Sequence, residues 1–347
     1  METVTTKVGV LVMSYGTPES LEGVEAYYTH IRRGNPPSAE QLKELKDRYE
    51  AIVGGVFPLR ENTDRQVEGL EAALNKGNGD TTVQFVCYQG LKHAHPFIED
   101  GVESMARDGI TEAIGIVLAP HYSSMSVGTY IKRAQEKAEE LGIRMEFAKS
   151  YHMHPELIDV LSRRVSTRLD QFEEAGAKRD EVKVLFSAHS LPERILSMGD
   201  PYRDQLLETS EAIAKQTGVT SWQFTWQSAG RTAEPWLGPD VLDTLRELSK
   251  EQVEDVLVAP IGFVSDHLEV LYDLDIEAQT VAQELDMRLM RIESLNSSDW
   301  RSNDHSVRLP ADLLPVRQAE YLPASGKHWN YQRRVFLLQQ ATGHTVH

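Results

Sequence analysis

Eight short runs of apolar and β-branched residues punctuate the chain, at 7–13, 82–88, 112–119, 144–150, 182–188, 221–226, 254–260 and 287–293. Between them, apolar positions recur with helical spacing over 38–51, 62–76, 97–107, 128–141, 155–172, 203–217, 239–250 and 266–284. The strand runs stay apolar instead of alternating with polar residues, as strands covered on both faces do. Regular exchange of such strands with helices predicts an α/β fold in which helices cover both faces of parallel sheets.

The second half of the chain repeats the first. "KVGVLVMSYGTPES" at 7–20 is answered by "VKVLFSAHSLPER" at 182–194, and the segment from His95 to Pro120 by the one from Glu234 to Pro260. Pairing Pro96 with Pro235 leaves 24 residues to Pro120 and 25 to Pro260. A duplication of this kind predicts two doubly wound halves, 1–150 and 151–298. Ligands of such sheets lie beyond the carboxyl ends of the strands, where strand order reverses. Tyr15 and His189 then occupy equivalent strand ends, one per half, placed to face each other across one cleft. Residues 299–347 carry three prolines and no sustained period, so an atypical, poorly ordered tail is expected there.

Composition acts mainly by exclusion. The formal charge is −17 over 347 residues, which argues against a nucleic-acid binder because neutralising phosphates needs surplus Lys and Arg. The single cysteine, Cys87, cannot build a disulfide framework, a Cys-rich zinc site or a four-Cys iron–sulfur cluster within one chain. Its place in an apolar run makes it a core residue. No apolar run approaches the ~18 residues that span a bilayer, and the start lacks a signal-peptide pattern. A soluble, cytoplasmic protein without stable membrane insertion is expected. Phosphate-loop, dinucleotide-loop, G-x-S-x-G and H-E-x-x-H patterns are all absent, which disfavours nucleotide hydrolysis, common dehydrogenase chemistry and serine hydrolysis.

Three groups of residues remain as candidates for chemistry. His189 ends an apolar strand run in an ionisable side chain. In the predicted helix 266–284, Glu269, Asp273 and Glu277 lie at i, i+4 and i+8 and so stack on one face. Like charges at that spacing cost an isolated helix about 0.2–0.5 kcal/mol per pair. The row is either a solvated face or a route for a cation into the cleft. A histidine with carboxylates suits a borderline metal such as Fe(II), or proton removal near neutral pH. Finally, "YYTHIRRG" and "LKDRYEAI" bring Arg32, Arg33, Arg48, Tyr27, Tyr28 and Tyr49 into neighbouring segments. Arginine's planar fork favours carboxylates, though ordinary exposed helix charges would read the same way.

Taken together, "LVMSYGTP", "YYTHIRRG", "LKDRYEAI", "GLKHAHPFIED", "SAHSLPE", "WQSAGRTAEPWLGPDV" and "DHLEVLYD" resemble the ferrochelatase family. The likeness runs in order from residue 6 to about 298 and is nearest to the Gram-positive type that acts on coproporphyrin III. It implies two Rossmann-like halves with a porphyrin cleft between them, and insertion of Fe(II) into the ring with release of two protons. Matched motif by motif, it implies that His189 and Glu269 bind iron and accept the pyrrole protons. Asp273 and Glu277 become outer acids of the metal route, and Tyr15 the residue on the opposite face of the ring. Arg32, Arg48, Tyr49 and Tyr130 become porphyrin contacts. A monomer without a cofactor of its own is implied, with porphyrin and Fe(II) as substrates and no iron–sulfur cluster. The sequence departs from the family in "VGGVFPL" (53–59), where Phe57 stands in place of a serine and Val53 is extra, and in the tail. The alternatives are a protoporphyrin IX ferrochelatase, a cobalt or nickel chelatase of similar fold, and a non-catalytic tetrapyrrole carrier.

Overall fold

The structure, a computed structural model, describes residues 6–52, 57–76 and 83–296. It contains two four-stranded sheets, each wholly parallel. The first is built from β1 (Thr6–Ser14), β2 (Val83–Leu91), β3 (Glu112–Val117) and β4 (Arg144–Ala148), in the order β2-β1-β3-β4. The second uses β5 (Lys183–His189), β6 (Trp222–Gln227), β7 (Asp255–Ala259) and β8 (Arg288–Arg291), in the order β6-β5-β7-β8. The two orders are the same, as a duplication requires. In each sheet the order reverses beside the first strand, so Tyr15 follows β1 and His189 ends β5 at the two switch points.

The inner strands are apolar because both of their faces are covered. In β1 every residue from Val8 to Ser14 is buried, and in β5 every residue from Val184 to Ala188. One apolar core runs through both sheets. It joins Val8, Val10 and Val12 of β1 to Val184 and Phe186 of β5, through Leu161, Val165 and Leu169 of the helix Pro155–Glu174. Separate cores fill the far face of each sheet, one around Leu11, Met13 and Met105, the other around Leu185, Leu245 and Val258.

The repeat differs from the sequence expectation in one register. Leu91 N donates to Pro96 O at 2.7 Å at the end of β2, and Trp226 N donates to Pro239 O at 2.9 Å at the end of β6. Pro239, not Pro235, is therefore the counterpart of Pro96. The second half inserts its extra residues before that point, in the loop from Ser228.

The helical expectations need three corrections. The predicted helix 62–76 begins earlier, at Pro58, whose fixed φ and missing N–H suit the first helical turn; it runs to Asn75. A short helix over Val24–Ile31 carries no apolar stripe, only Val24 being buried, and periodicity misses it. The segment 266–284 is not one helix. It comprises Leu268–Leu271, a π-helical stretch Asp273–Ala278 and Gln279–Glu284. Val53 and residues 299–347 lie outside the described residues.

Candidate functional site

The site begins with the end of β5. Ser190 N donates to Gln227 O at 2.8 Å, prolonging the ladder past His189, and the Tyr202 hydroxyl donates to His189 O at 3.1 Å. Gly262 closes the other side, where a Cβ would stand 2.5 Å from that of Ala188, so only glycine lets the loop after β7 lie against the strand end. Gln227, fully buried, locks the partner element. Its Oε1 accepts from Ser187 Oγ at 3.0 Å and its Nε2 donates to the Glu269 carbonyl at 2.7 Å.

These restraints bring His189 Nε2 to 3.2 Å from Glu269 Oε1, while His189 Nδ1 bonds the Ser190 carbonyl. His267 Nε2 lies 3.3 Å from Glu269 Oε2 and His267 Nδ1 3.0 Å from Ser265 O, so the carboxylate sits between two imidazoles. Burial disfavours charge on both partners, but their mutual attraction prevails. The His189 pKa rises to about 9, with Asp273 adding to the pull of Glu269, and the Glu269 carboxyl falls well below the usual range. At neutral pH the two form an imidazolium–carboxylate pair.

The acidic row continues outward. Asp273, 8% exposed, accepts from Ser228 Oγ. Ser228 itself takes a left-handed φ of 59°, an unusual conformation for a non-glycine residue that re-aims the chain after β6. Burial and the nearby Glu269 charge lift the Asp273 pKa to about 6, against the hydrogen bond from Ser228 and the charge of Arg48. Arg48 lies 3.7 Å from Asp273 and 3.9 Å from Glu277, with its guanidinium 4.7 Å over the Tyr272 ring. It projects from the helix Ala39–Ala51, fixed at its start by a reciprocal cap between Ser38 and Gln41. Glu44, one turn before Arg48, takes a two-pronged contact from Arg231 at 2.6 and 2.8 Å. That pair ties the first half of the chain to the loop after β6.

Tyr15, which follows β1, feels the charge of Glu269. The residue is 41% exposed with its ring 4.7 Å from His93, and burial, ahead of the Glu269 charge, raises its pKa. Tyr49 and Tyr130 are each only 4% exposed. The Tyr49 hydroxyl is 3.3 Å from Thr17 Oγ1 and its ring 4.8 Å from Phe57, while Lys92 Nζ sits 4.9 Å over the Tyr130 ring. Arg32 is engaged locally, donating to Asn35 O at 3.2 Å and lying 5.7 Å over Tyr28. The structure thus forms two contact groups, His189 with Glu269 and Arg48 with Asp273 and Glu277, couples them and Tyr15 by charge, and leaves Arg32 apart. Sequence reasoning missed His267, Ser228, Gln227, Glu44 and Arg231. His267 was within reach, two residues before Glu269 in a quoted motif. Its extended backbone, φ −154°, puts it outside the helical periodicity used to group the acids. Among the described residues no set of three or more His, Cys, Asp and Glu side chains converges as a closed metal site.

Two duplicated parallel sheets with a histidine at one switch point define a chelatase fold. SirB from Bacillus subtilis with Fe3+ superposes with a TM-score of 0.54 at 12% identity, covering 90% of this chain and 94% of that one. The sirohydrochlorin chelatase SirB from Bacillus subtilis subspecies spizizenii, in complex with cobalt, gives 0.50 at 11%, over 85% and 90%. The chain belongs to the ferrochelatase family, whose sequence pattern it matches over residues 7–301. The coproporphyrin III ferrochelatase of Bacillus pumilus is 46% identical over 293 residues, 84% of this chain and 92% of that protein. The one of Oceanobacillus iheyensis is 49% identical over 280 residues, 80% of this chain and 88% of that protein. No helix among the described residues is long and apolar enough to cross a membrane.

Proposed function

We infer that this chain inserts Fe(II) into coproporphyrin III, forming iron coproporphyrin III and releasing two protons. The observation that carries the reading is the His189–Glu269 pair, 3.2 Å apart at the carboxyl end of β5, in a chain of the ferrochelatase family.

Insertion exchanges two pyrrole protons for one dication, so the site needs a base on one face of the ring and ligands that let the metal go. His189 and Glu269 supply both. A pair of groups, unlike a closed four-ligand cage, holds iron loosely enough to pass it on. As an imidazolium, His189 must lose its proton before its nitrogen can ligate, and an arriving dication drives that loss by competing for Glu269. His267 anchors the far oxygen of Glu269 and keeps the carboxylate aimed. Asp273 and Glu277 serve as the outer approach for the metal. Tyr15 works from the opposite face, and Arg32, Arg48, Tyr49 and Tyr130 surround the ring, with the arginines directed at its carboxylates. We place the enzyme in the cytoplasm as a monomer with no cofactor beyond its substrates.

A second reading, protoporphyrin IX as the ring, draws on Phe57, which packs 4.8 Å from Tyr49 and adds apolar surface where the resemblance implies a serine. Anaerobic incubation of the protein with Fe(II) and each porphyrin, followed by absorption, tests both. Metallation of coproporphyrin III in preference to protoporphyrin IX is expected. Turnover of neither ring would overturn the enzyme reading.

A further inference from the structure

One guanidinium answers to three carboxylates at the edge of the acidic row. Arg48 Nη2 stands 3.4 Å from Glu44 Oε1 and 3.9 Å from Glu277 Oε1, and Nη1 stands 3.7 Å from Asp273 Oδ1. All three exceed the roughly 2.7–3.2 Å of a well-made N–H···O bond. Other arginines in the same molecule close their forks. Arg231 meets Glu44 at 2.6 and 2.8 Å, Arg133 meets Glu99 at 2.6 and 2.7 Å, and Arg291 meets Asp275 at 2.6 and 2.8 Å. Arg48 is therefore held by one long hydrogen bond to Glu44, by charge and by its face on Tyr272, with most of its donor capacity unspent. Glu44, its nearest acid, already gives both oxygens to Arg231. A guanidinium in that condition favours any carboxylate that can take two parallel hydrogen bonds.

The same guanidinium covers the acids that an incoming dication would use, so the two substrates make opposite claims on it. We propose that Arg48 is a counter-ion gate: where it lies here it masks Asp273 and Glu277, and a carboxylate of the seated tetrapyrrole draws it off, opening the acidic row to the metal only when a ring is in place. The proposal rests on the chelatase reading above. It implies an order of addition, ring first and metal second, and limits idle loading of iron. It also implies reciprocity, since a ring that raises metal affinity must have its own affinity raised by the metal to the same degree, typically about 5–150-fold. The Glu44–Arg231 pair sets the balance by occupying the acid that would otherwise be Arg48's best alternative.

The test is equilibrium binding of Fe(II) to the full chain by anaerobic dialysis, with and without palladium(II) coproporphyrin III. Its central nitrogens are already filled, so no insertion can occur. Wild-type protein should bind Fe(II) at least about fivefold tighter with the ring than without, within the usual coupling range. Arg48→Gln should bind Fe(II) tightly without the ring and lose most of the enhancement. Arg48→Lys keeps the charge but not the fork, so it should bind Fe(II) weakly in both conditions. Unchanged ring-free affinity in Arg48→Gln, or equal enhancement in all three proteins, overturns the gate. Turnover of free coproporphyrin III, measured alongside, separates the levels: turnover without this coupling overturns the gate alone, and no turnover overturns the chelatase reading beneath it.

Discussion

Asp273 carries a buried charge that works against the stability of the fold. Its carboxyl is buried beside Glu269 and within reach of Glu277, and its pKa is pushed up to about 6 despite Ser228 and Arg48. A carboxyl raised in the folded state contributes stability that is fully present below its unfolded pKa, near 4, and lost as pH rises through about 6. A gap of that size corresponds to about 3 kcal/mol against the fold at pH 8. Asp273→Asn removes the charge, keeps an oxygen to accept from Ser228, and gives up a contact of 3.7 Å to Arg48. The net expectation is a gain of about 1–3 kcal/mol at pH 8 and close to none at pH 4, the cost of that gain being poorer metal delivery. Urea unfolding at the two pH values measures it, and in thermal unfolding a chain of this size should show a melting shift of about 1–2 °C per kcal/mol. If Asp273→Asn is no more stable than wild type at pH 8, or gains equally at pH 4, the carboxylate is not the strained charge described here.

Three further outcomes follow from the same geometry. His189→Ala should lower Fe(II) insertion by about 10²–10⁴-fold, the usual worth of a positioned base, while coproporphyrin III binding by fluorescence stays within about threefold; near-wild-type turnover would mean the proton acceptor is elsewhere. Because His189 carries a proton up to about pH 9, binding of Fe(II) at pH 7.5 should release close to one proton, and affinity should rise with pH between 6.5 and 8.5. Calorimetry in buffers of different ionisation enthalpy reads this directly, and a buffer-independent heat would refute it. Coproporphyrin III should give a higher kcat/KM than protoporphyrin IX, with Arg48→Ala narrowing the ratio as an arginine–carboxylate contact worth roughly 1.5–3 kcal/mol is lost; the ratio cancels any change in the metal step, and an unaltered ratio would remove Arg48 from ring recognition.

The sheets were legible because parallel strands buried on both faces read as unbroken apolar runs, and all eight runs became strands. The equivalence of Tyr15 and His189 followed from the same pattern. What could not be read was the identity of counter-ions, because those pairs join residues far apart in the chain: Glu44 and Arg231 are separated by 187 positions. The acidic row lies between these cases. Its acids were grouped by assuming a regular α-helix, yet in such a helix each i, i+4 step drifts by about 40°, so Glu277 would have turned well away from Glu269. Instead the chain passes into a π-helical stretch at Asp273. A π turn holds more residues and rotates less per residue, so its i, i+4 step carries the next acid back. One guanidinium reaches both Asp273 and Glu277 across this stretch. The spacing of four would bring Asp273 and Glu277 together in a regular α-helix as well; what the π stretch changes is the drift of the row, turning the later acid back toward the line of Glu269.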